Sequence, residues 1–160
     1  MLRFQKKKRF KWILNLQGDE PLINIKDIKK LISKTLLYQR QRKNFVVSTL
    51  YVKKKFKKNN RNEVKLINNK KDEVLMFSRE KLLSNKTEYC KHIGIYLYKS
   101  NFLKTYSKLK KTNSEKRENL EQLRILDNGH RIIAFEASKD TVGVDTYEDM
   151  QKLKKILKKI

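Results

Sequence analysis

The 160-residue chain carries 41 Lys and Arg against 17 Asp and Glu, a formal net charge of +24, and only 38% of it is hydrophobic. Seven Phe, seven Tyr and one Trp argue against disorder throughout, and the length suits one domain, residues 1–160, with a sizeable core. The lone cysteine, Cys90, excludes an internal disulfide and points to a reducing compartment. The basic start MLRFQKKKRFKWILNL has an apolar stretch too short for a signal peptide or a span, so the expectation is a soluble, cytoplasmic protein without a membrane partner.

WILNLQ, residues 12–17, reads as a buried strand that runs into a turn at Gly18 to Pro21, where Asp19 and Glu20 sit. Residues 25–39 place Ile25, Ile28, Ile32 and Leu36 at helical spacing, which predicts a helix with that stripe inward. FVVSTLYV, 45–52, is β-branched and aromatic and predicts a strand. VKLINN and EVLMFS flank a polar turn at Lys70 to Asp72 and predict a hairpin. YCKHIGIYLYK, 89–99, predicts another strand, followed by a helix capped by Asn101. The lysine-rich stretch 109–117 reads as mobile. ENLEQLRIL, 118–126, reads as one helix, RIIAFEA, 131–137, as a strand, and TYEDMQKLKKILKK as an amphipathic helix with Thr146 at its cap and Asp149 three residues on. Strands alternate with helices outside the hairpin, which predicts an α/β fold with a mostly parallel sheet.

The charge has two readings. One is a nucleic-acid surface, since clustered Lys and Arg neutralise phosphates. However, the lysines spread from Lys6 to Lys159 without a dominant block, Arg is the minority, and Asn and Ile are abundant, as an AT-rich coding bias would give. No specific nucleic-acid partner is therefore expected, and a non-catalytic basic module stays as the alternative.

Two acids sit just past presumed strands, Asp19 after 12–17 and Asp145 after 131–137. In open α/β sheets that is where ligands bind, and two hard oxygen donors from separate strand ends suit Mg²⁺ beside phosphates. Each could equally be a turn or cap residue.

QGDEP (17–21), NRNEVK (60–65), FSR (77–79), KHIGIY (91–96), LEQLR (120–124) and GVDTYED (143–149) follow in an order and spacing that resemble the CMP-Kdo synthetases, the 3-deoxy-manno-octulosonate cytidylyltransferases. The resemblance runs from Trp12 to the last helix. It implies a Rossmann-like, nucleotide-diphosphosugar-transferase-type mixed sheet, mostly parallel. The implied reaction joins CTP and the sugar acid Kdo into CMP-Kdo and pyrophosphate, for the lipopolysaccharide of a Gram-negative bacterium. Asp19 and Asp145 would hold Mg²⁺ as the catalytic acids. Gln17, Arg79, His92, Tyr96, Glu121 and Gln122 would contact Kdo, and the assembly would be a homodimer. A related sialic-acid-type cytidylyltransferase is the neighbouring alternative.

The chain also departs from the pattern. EKLLSNKTEYC after FSR is shorter than the family's segment and lacks its proline; Tyr147 and Arg61 stand where the family has Pro. The family's opening βαβ portion, with the Gly-Lys-Pro loop that cradles the triphosphate, and a later Ser-Gly-Thr segment that helps hold the cytosine are absent. The expectation is thus the C-terminal two-thirds of such a domain, with little cytidylyltransferase activity by itself.

Overall fold

The computed structural model describes residues 10–41, 43–56, 60–80, 87–141, 143–144 and 146–158. In chain order the elements are β1 (Trp12–Leu16), α1 (Ile25–Arg40), β2 (Val47–Lys55), β3 (Lys65–Asn68), β4 (Val74–Ser78), β5 (Glu88–Lys99), α2 (Ser100–Tyr106), α3 (Asn113–Glu118), α4 (Gln122–Asp127), β6 (Ile132–Glu136) and α5 (Tyr147–Leu157). No helix among the described residues is long and apolar enough to cross a membrane.

The twelve-residue β5 is the spine of a six-stranded sheet of order β4-β3-β5-β2-β6. One edge of β5 takes β2 along its length; the other is shared by β3 near its start and by β1 near its end. All of these pairings are antiparallel, and among the named ladders only β2–β6 is parallel. The α/β class with a mixed sheet is as expected, but the pairing is mostly antiparallel. The reason is topological. β1 and β2 run the same way, as a strand-helix-strand unit requires, yet β5 is inserted between them in the opposite sense.

The central strands are buried on both faces, which explains their nearly unbroken apolar runs. In β6, Ile132 and Ala134 face a core shared with Phe102, Leu120, Leu123 and Ile125 of the α2–α4 region, while Ile133 and Phe135 face a core shared with Leu31 of α1. A fully buried side chain such as Leu31 or Ile132 contributes roughly 1.5–3 kcal/mol.

Four local expectations are corrected. The buried stripe of α1 is Asp27, Leu31 and Thr35; Ile28 is half-buried, whereas Ile25 is 68% exposed and Ile32 and Leu36 lie largely outside. Polar partners turn the helix this way. Thr35 Oγ1 lies 2.6 Å from Ser48 Oγ of β2, and the Asp27 carboxylate accepts from Ser138 N (2.8 Å) and Ser138 Oγ (2.9 Å). Asn101 lies inside α2, whose cap, Lys99, makes no side-chain bond. Part of the lysine-rich stretch is the ordered helix α3, started by a Thr112–Glu115 capping box. Glu115 is buried and takes both Nε (2.7 Å) and a terminal nitrogen of Arg124, a bidentate pair that braces α3 against α4. Finally, 118–126 is not one helix. Asn119 adopts the left-handed conformation (φ 53°) and separates α3 from α4.

A bulge in β5 has the widest consequences. Thr49 of β2 pairs with Tyr96, but its neighbour Leu50 pairs with Ile93, so Gly94 and Ile95 are extra. The buried Thr49 hydroxyl holds the bulge by donating to Ile95 O at 2.7 Å. Thr49→Val keeps the shape and strands that carbonyl. It is expected to cost about 1–3 kcal/mol in urea denaturation at neutral pH.

Candidate functional site

β1 and β6 both end at a cavity of about 480 Å³. Gln17, Asp19, Arg79, His92, Tyr96, Glu121 and Gln122 all line it. These are seven of the eight residues singled out in the sequence, drawn from four separate stretches of chain. The eighth, Asp145, lies outside the described residues.

The turn after β1 is fastened to the bulge. Gln17 N donates to Gly94 O (3.3 Å), and Gly94 N donates to Glu20 Oε1 (3.3 Å). A Cβ at position 94 would stand 2.3 Å from Gln17 Oε1, so only glycine lets the Gln17 side chain lie there. The other end of the cavity joins the same turn, because Val144 N donates to Asp19 O at 2.8 Å. KHIGIY and GVDTYED are thus each hydrogen-bonded to QGDEP. The Asp19 carboxylate makes no hydrogen bond or ion pair with any described residue.

His92 and Tyr96 share a face of β5. Four residues of regular strand span about 13 Å, yet the bulge brings the two rings to 5.3 Å between centroids. Phe77 meets the His92 ring edge-on from another side, at 5.2 Å. Burial between these rings, helped by the adjacent Lys91 charge, pushes the His92 pKa down to about 3. The imidazole is therefore neutral. Thr49 has one hydroxyl proton and gives it to Ile95 O, so His92 Nε2, 2.9 Å from Thr49 Oγ1, is the protonated nitrogen. Nδ1 is left as an acceptor. Burial also holds the Tyr96 phenol well above its usual range, so it remains a donor.

Arg79 is already engaged. Nε donates to Glu118 O (3.2 Å), and NH1 to Arg61 O (3.1 Å) and Asn62 O (3.3 Å), while its own N–H donates to the Glu118 carboxylate (3.0 Å). It ties the 60–64 rim to the end of α3, and its second terminal nitrogen has no hydrogen-bond partner among the described residues. The left-handed Asn119 turns the chain so that Glu121 is exposed at the cavity and Gln122, buried, opens α4.

Sequence reasoning missed a set of charged residues that also line the cavity. Lys91 is 7% exposed and donates to Asp140 Oδ1 (2.8 Å) and Thr141 O (2.7 Å). Lys54 bridges Asp140 Oδ2 (3.0 Å) and Glu63 Oε1 (2.8 Å), and Tyr89 donates to Glu63 as well. Burial opposes ionisation of Lys54, Glu63 and Asp140, but their mutual hydrogen bonds outweigh it: Lys54 is held above its usual range and the two carboxyls below theirs. The signal was a lysine inside an apolar strand, immediately before His92.

Comparisons with known proteins bear on the fold and the family. A family model described as cytidylyltransferase matches residues 2–132. The 3-deoxy-manno-octulosonate cytidylyltransferase of Fusobacterium nucleatum subsp. nucleatum is 37% identical over 155 residues, covering 93% of this chain and 62% of that protein. The protein of the same name from Francisella tularensis subsp. holarctica is 39% identical over 157 residues, covering 90% of this chain and 61% of its own length. A solved CMP:2-keto-3-deoxy-manno-octonic acid synthetase complexed with CTP superposes with a TM-score of 0.83 at 30% identity, covering 99% of this chain and 66% of that one. The chain thus spans about three-fifths of the length of the curated relatives it matches.

The state of His92 is measurable through stability. The unfolded chain takes up a proton near pH 6.5, whereas the folded one resists it down to about 3. The contribution is complete above pH 6.5 and is lost as pH falls through that window, at about 1.4 kcal/mol per pH unit. Urea denaturation should show the parent losing about 2 kcal/mol more than His92→Gln between about pH 7.5 and about pH 5, above the range where Glu63 and Asp140 titrate.

Proposed function

This chain belongs to the cytidylyltransferase family, and from that premise we propose that its cavity receives the sugar acid Kdo for nucleotidyl transfer from CTP, giving CMP-Kdo and pyrophosphate for lipopolysaccharide biosynthesis. The observation that carries the proposal is the convergence of Gln17, Asp19, Arg79, His92, Tyr96, Glu121 and Gln122 on one cavity. The name of the similar synthetase and its bound CTP support the same choice of substrates.

The side chains suit an acidic polyol. His92 Nδ1 accepts from a hydroxyl, and because the ring is neutral and fixed by Thr49 it does so over a wide pH range. The Tyr96 phenol donates, the Glu121 carboxylate accepts, and Gln17 and Gln122 do both. The terminal nitrogen of Arg79 that has no partner among the described residues is left for the sugar carboxylate. Held in this way, the anomeric hydroxyl of Kdo attacks the α-phosphorus of CTP. A P–O bond forms, the bond to pyrophosphate breaks, and the hydroxyl proton is released. The protein's part is to position the reactants and offset charge, as in phosphoryl-type transfer generally.

Mg²⁺ is the proposed metal. The fit rests on Asp19, whose carboxylate has no hydrogen-bond or ion-pair partner among the described residues and is exposed at the cavity, in a chain otherwise rich in cations. Asp145 is the second ligand by resemblance. A bound Mg²⁺ supplies charge neutralisation at the phosphate. The proposed assembly is a homodimer.

Kdo should perturb the His92 and Tyr96 resonances of the purified chain in the presence of Mg²⁺. Tyr96→Phe, which removes only the hydroxyl, should weaken binding by about tenfold. Kdo that leaves both resonances unmoved at millimolar concentration would sink the proposal.

A further inference from the structure

Lys91 is a charged side chain 7% exposed on the central strand, beside His92. Burial of an ammonium is costly unless every donor finds a partner. Both of its partners lie on the loop after β6: the Asp140 carboxylate at 2.8 Å and the Thr141 carbonyl at 2.7 Å. The other oxygen of Asp140 is held by Lys54 at 3.0 Å, and Asp140 Oδ1 also accepts from Thr141 N at 2.9 Å. The loop is tied at its start, where Ser138 bonds the buried Asp27, and near its end, where Val144 N donates to Asp19 O. The bonds to Lys91 and Lys54 lie between these two points.

We propose that Lys91 is a positioning residue. Through Asp140 and Thr141 it fixes the chain after β6 at residues 140–141, and thereby the backbone of Val144 and Asp19, relative to β5. Lys91 also lines the cavity, but it exerts this role through its two hydrogen bonds to the loop. The same ammonium lies beside His92 and adds to the effect of burial in keeping that ring neutral. One buried cation thus couples the strand that carries His92 and Tyr96 to the turn that carries Asp19. Its relevance to catalysis rests on the proposed function, but the loop placement does not.

The test is amide hydrogen exchange by NMR on the full chain. Lys91→Met and Asp140→Asn should each raise exchange at Val144 by about tenfold or more while the β2–β6 ladder keeps its protection. The double variant should add little, because both single changes break one unit. Lys91→Arg, which can span the same two acceptors, should recover most of the protection. Parent-like exchange at Val144 in either single variant overturns the proposal. So does an equal rise across the β2–β6 ladder, which would mark a global loss of stability. If Lys91→Met fails to fold, Asp140→Asn, a change at a half-exposed side chain, decides alone. Titrating the same proteins with Kdo separates the two readings: a parent that ignores Kdo removes the sugar-acid function and leaves the exchange result to judge Lys91.

Discussion

Two rings four residues apart on a strand do not ordinarily touch. In this protein they do, because β5 carries two extra residues opposite the Thr49–Leu50 step. The bulge costs backbone pairing, and Thr49 offsets part of that by giving its hydroxyl proton to the freed Ile95 carbonyl. The same hydroxyl then serves His92. Ring contact, histidine tautomer and the seat for the Gln17 side chain over Gly94 all follow from one local irregularity. A regular β5 would lack each of them.

A second layer of interactions supports this one. The acids are few, and several are spent beside the cavity instead of on the outer surface. Glu63 and Asp140 compensate Lys54 and Lys91, Glu115 compensates Arg124, and Glu118 receives Ser78 and Arg79. By contrast, Lys53–Glu136 is half-exposed on both sides, where solvent screening leaves an ion pair little to contribute. The positive charge of the chain is therefore a property of its outside. Around the cavity the balance is reversed: Asp19, Glu20, Glu63, Glu121, Asp140 and Asp149 outnumber Lys54, Arg79 and Lys91, and Lys54 and Lys91 are held there by charged hydrogen bonds to Glu63 and Asp140.

The strands were legible in the sequence from the apolar run at residues 132–135 and from the β-branched and aromatic residues of 45–52. The hairpin was legible from its polar turn, and α5 from its Thr146 cap. Hydropathy misled where polar pairs decided orientation: Thr35–Ser48 and Asp27–Ser138 rotate α1 away from its apolar stripe. It misled again where one backbone conformation broke a helix, at Asn119. The residues lining the cavity were legible only through motif resemblance, since spacing on separate elements does not reveal which ones meet. Thr49, Lys54 and Asp140 carried no motif signal, and the role of Lys91, although it opens the KHIGIY stretch, emerges only from the fold.

Gly94 has a further consequence. Gln17, Glu20 and the backbone of β5 converge on a space no larger than one missing methyl group. Gln17 is exposed and its amide end is free to swing away, so a small side chain at 94 is tolerable for folding yet displaces the group beside it. Stability and site geometry are thus decoupled at this position. Changes at 17, 20 and 94 should show epistasis: the effect of each depends on which atoms occupy the shared space, and neutral drift at one position alters what the other two permit.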